Sequence, residues 1–478
     1  MKIPFHPNRR QLLSATGATI ASASLPRLSL AKTDDGFFQL AAGKTSQRLA
    51  GDKYGPSDLF LYNGKTPGPQ IRVKRGDTVR VRFTNELDQP TSVHWHGIRI
   101  DNAMDGVPGL TQEPVMPGGS FDYVFAVPDA GTFWYHAHTK SWEQVARGLY
   151  GPLIVDETRP SFPLDNDITL VIDDWRLNEN GVLDMTSLGS LRDWSHAGRL
   201  GNWLTVNGVS QPHFKVKAGE NYRLRLINAC NARAVSFNPA SIGAQILGYD
   251  GFVFDSPREF TANQLALTPA QRVDLLLQPR GGDTVKLDET GGFALEEISG
   301  REPVRFAIFD TDGTSDRPGN TPVTLSPNTI SAPDLTTAKT VELVMTGGAM
   351  GHMGDMTHKG EPLTRGRMME TKQVWAFNGV ANMSSEPLFR IQRGHTVIIK
   401  TVNQTGWLHA MHSHGHHFQI IRRNGYKPDD LIWRDTFSID HDETVDIAFV
   451  ADNPGKWLLH CHMLEHAAAG MRTWFEVT

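Results

Sequence analysis

The sequence is poor in cysteine, in long apolar runs and in clustered charge. Its 478 residues contain two cysteines, Cys230 and Cys461, too few for the disulfide framework of a small secreted domain. The one candidate for a membrane span, near the N-terminus, is too short to cross a bilayer, so we expect no stable membrane anchor. The formal net charge is -5 with no long basic run, which argues against nucleic-acid binding.

Glycine, proline and histidine are plentiful by contrast. The 45 glycines and 28 prolines predict many turns and therefore a β-rich protein. The chain length predicts about three domains. The 19 histidines are the main indication of chemistry, because most of them fall into a few short motifs.

The first 31 residues have the features of an export signal. Arg9 and Arg10 form a twin-arginine pattern, an Ala- and Ser-rich stretch follows, and small residues flank a cleavage position after Ala31. We interpret residues 1–31 as a twin-arginine signal peptide that directs the protein to the periplasm. The alternative is a disordered basic N-terminus.

One pattern occurs three times in the rest of the chain. Each copy has an Asn-Gly pair, a short strand, a glycine turn and an alternating strand that ends in asparagine; the copies begin at Asn63, Asn207 and Asn378. Their spacing is too long for a solenoid repeat and suits a small β-sandwich. Three sandwich domains are therefore predicted, at residues 36–157, 160–312 and 338–478, with a Pro- and Thr-rich linker before the third.

Ten histidines lie in four clusters, and eight of them form His-x-His pairs. The pairs are His94 with His96, His136 with His138, His412 with His414, and His460 with His462. Residues i and i+2 of a strand share a face, so the two rings of each pair point the same way. Eight imidazoles can enclose one site and provide enough nitrogen for three copper ions.

A second ligand set is predicted on the opposite face. Cys461 lies between His460 and His462, so its side chain faces away from theirs, and His409 precedes His412 by an odd offset. With His466 and a weak axial Met471, these residues supply the ligands of a blue copper electron-transfer site. A zinc site would leave Cys461 and Met471 without a role.

Histidines outside this pattern are interpreted as surface or supporting residues. They are His395, His416, His417 and His441. Cys230 follows a strand and is interpreted as a packed thiol.

The order and spacing of the four motifs resemble those of the three-domain multicopper oxidases, which include laccases, bilirubin oxidases and bacterial copper-efflux oxidases. The resemblance covers the whole chain after the signal segment. It implies an all-β fold of three cupredoxin-like Greek-key β-sandwich domains and four copper ions. By motif, type 2 copper is assigned to His94 and His412, and type 1 copper to His409, Cys461, His466 and Met471. The type 3 pair is assigned to His96, His136, His138, His414, His460 and His462.

The resemblance implies four one-electron oxidations at the type 1 copper, coupled to reduction of dioxygen to two waters at the trinuclear cluster. The partners are then dioxygen and a Cu(I) or small aromatic reductant, and we expect a monomer. The middle domain is expected to act as a spacer that positions the other two. Asp105 matches the family's carboxylate near the cluster and is a candidate proton relay; a turn role before Gly106 is the alternative. Ala467 stands where many bacterial relatives carry a glutamate, which leaves the second proton donor open, although Glu465 is near in sequence.

The substrate is less sharply indicated. Residues 345–369 contain six methionines, whose soft sulfur prefers Cu(I), and they resemble a shortened form of the Met-rich segment of copper-efflux oxidases. Met350, Met353 and Met356 are therefore candidate ligands for substrate copper; a surface loop with packed methionines is the alternative. Thr405 and Trp407 replace the Asp and Met of the efflux oxidases, and Trp407 suits a flat aromatic substrate. Cuprous oxidation for copper tolerance is predicted first, a laccase second, and a copper-binding or scaffold protein without turnover is the alternative of another class.

Overall fold

The computed structural model describes residues 33–282, 284–291, 304–314, 322–351 and 354–478. The predicted signal segment lies outside the described residues. Short β-strands dominate and fall into three groups along the chain, which confirms the all-β prediction. Among the described residues, no helix combines the length and the apolar character that crossing a membrane requires.

The first group is a sandwich of two four-stranded sheets, ordered β2-β1-β4-β6 and β3-β8-β7-β5. Its strands are β1 (Phe38–Gln47), β2 (Ser57–Tyr62), β3 (Ile71–Lys74), β4 (Thr78–Asn85), β5 (Val93–His96), β6 (Ser120–Ala126), β7 (Gly131–Ala137) and β8 (Tyr150–Asp156). The alternation in β4 buries Val79, Val81 and Phe83 in the core and turns the intervening arginines outward. A short helix, α1 (Ser141–Gln144), precedes β8.

The second group contains a six-stranded sheet, a three-stranded sheet and a two-stranded ribbon, ordered β10-β9-β12-β17-β14-β15, β11-β19-β18 and β13-β16. Its strands are β9 (Asp167–Trp175), β10 (Trp203–Val206), β11 (His213–Ala218), β12 (Tyr222–Asn228), β13 (Val235–Phe237), β14 (Gln245–Tyr249), β15 (Phe252–Arg258), β16 (Leu265–Leu267), β17 (Arg272–Leu277), β18 (Thr284–Asp288) and β19 (Arg305–Thr314). A short helix, α2 (Leu191–Ser195), lies between β9 and β10.

The third group has sheets ordered β23-β20-β25-β30-β27-β28 and β24-β32-β31-β26-β29, with the pair β21-β22 beside them. Its strands are β20 (Lys339–Gly347), β21 (Thr357–His358), β22 (Glu361–Pro362), β23 (Trp375–Phe377), β24 (Arg390–Ile391), β25 (Thr396–Asn403), β26 (His409–Ser413), β27 (Phe418–Arg423), β28 (Trp433–Arg434), β29 (Thr436–Ile439), β30 (Thr444–Val450), β31 (Gly455–Cys461) and β32 (Arg472–Val477). Its helices are α3 (Arg365–Thr371) and α4 (Leu464–Ala468).

The three copies of the repeated sequence pattern adopt the same local structure, one in each group of strands. Asn63, Asn207 and Asn378 all adopt a left-handed backbone with φ of 51°, 53° and 48°. Each uses its side-chain amide to bind the backbone of a neighbouring strand; for example, the Asn63 amide donates to the Gln39 carbonyl at 2.9 Å. The repeat therefore marks a turn that ties the first strands of each sandwich together.

The second domain does more than separate the other two. The Arg272 guanidinium donates to the Asp435 carboxylate of the third domain at 2.6 and 2.7 Å. Its Nε also donates to the Thr132 carbonyl of the first domain at 3.1 Å. These contacts agree with the predicted role of a spacer that positions the other two domains, because one buried side chain of this domain binds both neighbours.

Candidate metal centre

Four strand ends bring the His-x-His pairs together between the first and third domains. In β5 and β7, His94 lies opposite His136, and in β26 and β31, His412 lies opposite His460. The two strand pairs face each other, so that His94 stacks on His414 with ring centroids 3.9 Å apart, and His96 on His412 at 3.7 Å. The structure therefore brings the eight predicted rings into one cluster.

Hydrogen bonds fix the orientation and tautomer of most of these rings. The Nδ1 atoms of His94, His412 and His460 donate to the carbonyls of Asp105, Asp435 and Cys461 at 2.8, 2.9 and 2.8 Å. A carbonyl can only accept, so the proton of each ring is on Nδ1. The lone pair on each Nε2 is left free and directed into the cluster, as in rings prepared to bind a metal.

The free nitrogens provide a test of whether metal ions fit. The Nε2 atoms of His94 and His412 are buried without a hydrogen-bond partner in the described part of the chain. The Nε2 atoms of His414 and His460 are 3.1 Å apart, and His138 lies close to both. Facing lone pairs repel each other unless a cation lies between them, and two nitrogens about 2.0–2.1 Å from one ion stand roughly this far apart. The donor set fits copper.

The acid–base state of the rings agrees with metal binding. Burial, reinforced by neighbouring rings, holds the pKa of His136 and His414 well below the usual range. Burial lowers the pKa of His460 to about 3, although its bond to the Cys461 carbonyl opposes the shift. At neutral pH these rings are uncharged, which is the form that binds metals.

A second centre lies on the other face of the Cys461 strand. The Cys461 Sγ is 3.7 Å from Nδ1 of His409 and 3.8 Å from Nδ1 of His466, and the two nitrogens are 3.0 Å apart. The Nε2 of His466 donates to the His196 carbonyl at 2.6 Å, so its Nδ1 lone pair points at the sulfur. Burial raises the pKa of Cys461 to about 12, so a metal must displace its proton to bind the thiolate.

Its surroundings are closed and largely apolar. Met471 is fully buried, and its carbonyl accepts from the Cys461 amide at 3.0 Å. The Trp375 ring packs on those of His409 and His466, with centroids 5.2 and 4.6 Å away. The Thr405 hydroxyl, 2.7 Å from His409 Nε2, donates to Asn403 and therefore accepts from the imidazole. All four residues predicted for this centre lie in one buried region of the third domain.

Two carboxylates support the cluster, and sequence reasoning found one of them. The Asp105 carboxylate is buried and accepts from His414 Nδ1 at 2.9 Å. Asp435, which was missed, accepts from His96 Nε2 at 3.3 Å. Burial favours a raised pKa for Asp435, but Arg272 and His96 hold it well below the usual range. Asp435 lies outside the four histidine motifs, and the signal that could have revealed its partner is a charged residue, Arg272, at the start of a strand in which every residue is buried.

Glu465 is directed at the second domain. Its buried carboxylate accepts from the Asn231 amide at 2.7 Å. Burial raises its pKa to about 7, against the hydrogen bond from Asn231. The carboxyl group is therefore able to exchange a proton near neutral pH. It comes one residue before His466, whereas the glutamate of many bacterial relatives comes directly after that histidine, where this chain has Ala467.

The Met-rich segment is not one exposed loop. It begins inside β20, where Met345 is buried, and ends in α3. Met356 is 3% exposed and packs in the core, whereas Met350 is 82% exposed; Met353 lies outside the described residues. The assignment of Met356 to substrate copper is wrong because its side chain fills the apolar core, and Met350 remains the exposed candidate.

Trp407 lies at the mouth of the second centre. Its indole donates to the Ala349 carbonyl at 2.8 Å, and its ring lies 5.4 Å from that of His196. The backbone of Ala349 in turn donates to the Ser195 carbonyl at 2.7 Å. A loop of the second domain, the Met-rich segment and Trp407 thus meet beside His466, one of the predicted ligands.

The remaining predictions have mixed outcomes. His395 and His441 are exposed, as expected. His416 and His417 are buried, and His417 Nε2 lies 3.7 Å from an Asp435 oxygen, which makes it a supporting residue. Cys230 is a buried free thiol in the core of the second domain, as expected.

Comparison with known proteins decides the family. Family models described as multicopper oxidase match residues 45–160, 166–284 and 355–478. The chain belongs to the multicopper oxidases. It is 30% identical to the multicopper oxidase MmcO of Mycobacterium tuberculosis, over 96% of this chain and 91% of that protein.

Two further relatives extend the comparison. The oxidase is 36% identical to Lac15 from a marine microbial metagenome, a solved structure, with a TM-score of 0.72 over 92% of this chain and 99% of that one. It is 25% identical to a copper resistance protein A homolog of Pseudomonas syringae pv. tomato, over 91% of each chain. The predicted cupredoxin-like fold is confirmed, and the protein is an oxidoreductase with copper as its cofactor.

Proposed function

We propose that the oxidase holds four copper ions and couples four one-electron oxidations to the reduction of dioxygen to two waters. Cys461, His409, His466 and Met471 form the type 1 site; the eight clustered histidines form the type 2 and type 3 sites as their motifs suggest. The observation that carries the proposal is the position of Cys461 between His460 and His462 at the end of β31. One strand end thereby supplies ligands to both centres.

Bound copper supplies the one-electron chemistry that the side chains lack. The chain contributes the connection, because the Cys461 carbonyl accepts a hydrogen bond from the His460 ring at 2.8 Å. It also keeps the two reactants apart, since the Cys461 side chain and those of His460 and His462 lie on opposite faces of the same strand end.

The overall reaction consumes four protons with the four electrons. Asp105 is placed to deliver them, because its carboxylate touches His414 inside the cluster. The same contact orients the His414 ring, so Asp105 acts both as a relay and as a positioning group.

For the reductant we propose Cu(I), which loses one electron to become Cu(II). Met350 supports this choice, because its soft thioether is exposed on the segment that meets Trp407 above His466. The name of the copper resistance relative supports the same physiological role in copper tolerance.

A laccase is the second candidate, and the Trp407 indole beside His196 favours it. A flat phenol or aryl amine stacks on such a surface and releases one electron and one proton.

A pair of methionine variants distinguishes the cuprous oxidase from the laccase. Met350→Leu keeps volume and apolarity but removes the sulfur. The control is Met369→Leu, which changes another exposed methionine, on α3. We expect kcat/KM for Cu(I) to fall several-fold in Met350→Leu alone, with phenol oxidation unchanged. Equal Cu(I) kinetics in both variants, together with rapid phenol oxidation by the unmodified protein, would favour the laccase.

We also propose export to the periplasm by the twin-arginine route, on the strength of residues 8–13. Replacing Arg9 and Arg10 with lysine should leave the protein in the cytoplasmic fraction, as judged by immunoblotting of fractionated cells. Normal export of that variant would contradict the route.

A further inference from the structure

A cavity of about 360 Å³ opens beside the histidine cluster, where all three domains meet. His138 and His460 line it, and His138 is half-buried, so the cavity connects these rings with solvent. Its other charged lining residues are Lys140, Lys372 and Arg472, with one carboxylate, Glu370. The wall of the cavity is therefore predominantly cationic.

Arg472 is the unusual member of this wall. Its Nε atom is buried and has no hydrogen-bond partner among the residues that the structure describes. Arg472 pairs with His460 across β31 and β32. Its positive charge therefore lies near the histidine cluster, where the proposed copper ions would add further positive charge.

Three buried arginines of this chain are neutralised by carboxylates at short range, whereas Arg472 is half-buried and only its Nε atom is fully enclosed. Arg225 binds Asp167 at 2.6 Å, Arg233 binds Asp174 at 2.9 Å, and Arg272 binds Asp435 at 2.6 Å. Arg472 has no carboxylate within ion-pair distance among the described residues, so an anion in the cavity would be its nearest counter-charge and would satisfy its unpartnered Nε atom.

We propose that this cavity binds a small inorganic oxoanion, held by the Arg472 guanidinium and supported by Lys140 and Lys372. The planar fork of a guanidinium matches two oxygens of a sulfate or phosphate, and the cavity has ample room for either. The bound anion neutralises Arg472 and lies on the route by which small molecules reach His138 and His460 from solvent.

The test is calorimetric titration of the copper-loaded full chain with sulfate, at constant ionic strength set with chloride. We expect saturable binding that weakens about tenfold or more in Arg472→Met, the loss expected for a hydrogen bond to a charged group. The matched control is Arg75→Met, an exposed arginine of the first domain that does not line the cavity, and it should bind sulfate normally. Equal affinity in both variants would place the anion elsewhere, and absence of saturable binding would overturn the site.

Two additional variants keep the test decisive. If Arg472→Met does not fold, Lys140→Met replaces it, because Lys140 is exposed, and its sulfate affinity should fall several-fold. Glu370→Gln removes the carboxylate that shares the cavity and should strengthen sulfate binding modestly. Sulfate binding that appears only in Glu370→Gln would show that Glu370 itself neutralises Arg472, and the proposal would be wrong.

Discussion

At the scale of single residues, the functional chemistry rests on which ring nitrogen carries the proton. Carbonyls hold Nδ1 of His94, His412 and His460 and leave Nε2 free. In the Cys461 centre the His196 carbonyl holds Nε2 of His466 and leaves Nδ1 free. For these four rings the backbone selects the donor atom before any metal arrives. A substitution that moves a carbonyl would disturb ligation without touching a ligand.

Cys461→Ser should abolish the intense blue absorption and the oxidase activity while the protein still folds. The thiolate–copper bond is the source of that colour, and a hydroxyl is a poor substitute for a soft sulfur ligand. Absorption spectra of copper-loaded protein and far-ultraviolet circular dichroism check both parts. Cys230→Ser is the matched control and should stay blue, since that thiol packs in the second domain.

Asp105→Asn should slow oxygen reduction by about 10²–10⁴ while leaving anaerobic reduction of the blue site nearly normal. The amide keeps the size of the carboxylate but cannot shuttle protons into the cluster. Stopped-flow measurement under nitrogen, followed by mixing with dioxygen, separates the two steps. An equal slowing of both would mean that Asp105 serves only to orient His414.

At the scale of elements, two strand ends from each terminal domain make the cluster, and one charged pair secures them. The ends of β5 and β7 face those of β26 and β31. Arg272, at the start of β17, binds Asp435, whose backbone and side chain orient His412 and His96. The second domain therefore helps to hold the strand ends of the first and third domains in position, although it contributes no histidine to the cluster.

Arg272→Met should destabilise the protein by about 3–5 kcal/mol, because it leaves the Asp435 charge buried without its partner. The double variant Arg272→Met/Asp435→Asn should recover part of this loss. Urea unfolding with tryptophan fluorescence measures both. Arg422→Met, at an exposed arginine, should change stability by no more than about 0.5 kcal/mol.

Sequence reasoning succeeded where the information is local. The i, i+2 spacing placed each His-x-His pair on one face, and the odd offset of Cys461 placed it on the other. It failed where contacts join distant segments, as for Arg272 with Asp435 and for the His196 carbonyl with His466. It also failed for Met356, because the sequence pattern does not show that this candidate ligand packs in the core.

At the scale of the whole molecule, buried neutral histidines make stability depend on pH. In the folded chain the pKa of His466 is about 4 and that of His460 about 3, both lowered by burial, whereas unfolded histidine titrates near 6.5. Below about pH 6.5 the unfolded chain takes up more protons than the folded one. The contribution to folding stability is therefore fully present above pH 6.5 and is lost as the pH falls toward the folded values.

Copper-free protein should accordingly unfold at lower urea concentration at pH 5.5 than at pH 7.5. Each such histidine contributes up to about 1.4 kcal/mol per pH unit in that window. Equilibrium unfolding at several pH values checks the slope. A midpoint that is independent of pH between 5 and 7 would contradict the neutral state of these rings.

The contact between His414 and Asp105 joins residues 309 positions apart in the chain. The complete ring cluster therefore forms only when the first and third domains have both folded and packed against each other. A chain that ends before β31 lacks His460 and His462 and cannot assemble all eight rings, whichever metal is supplied.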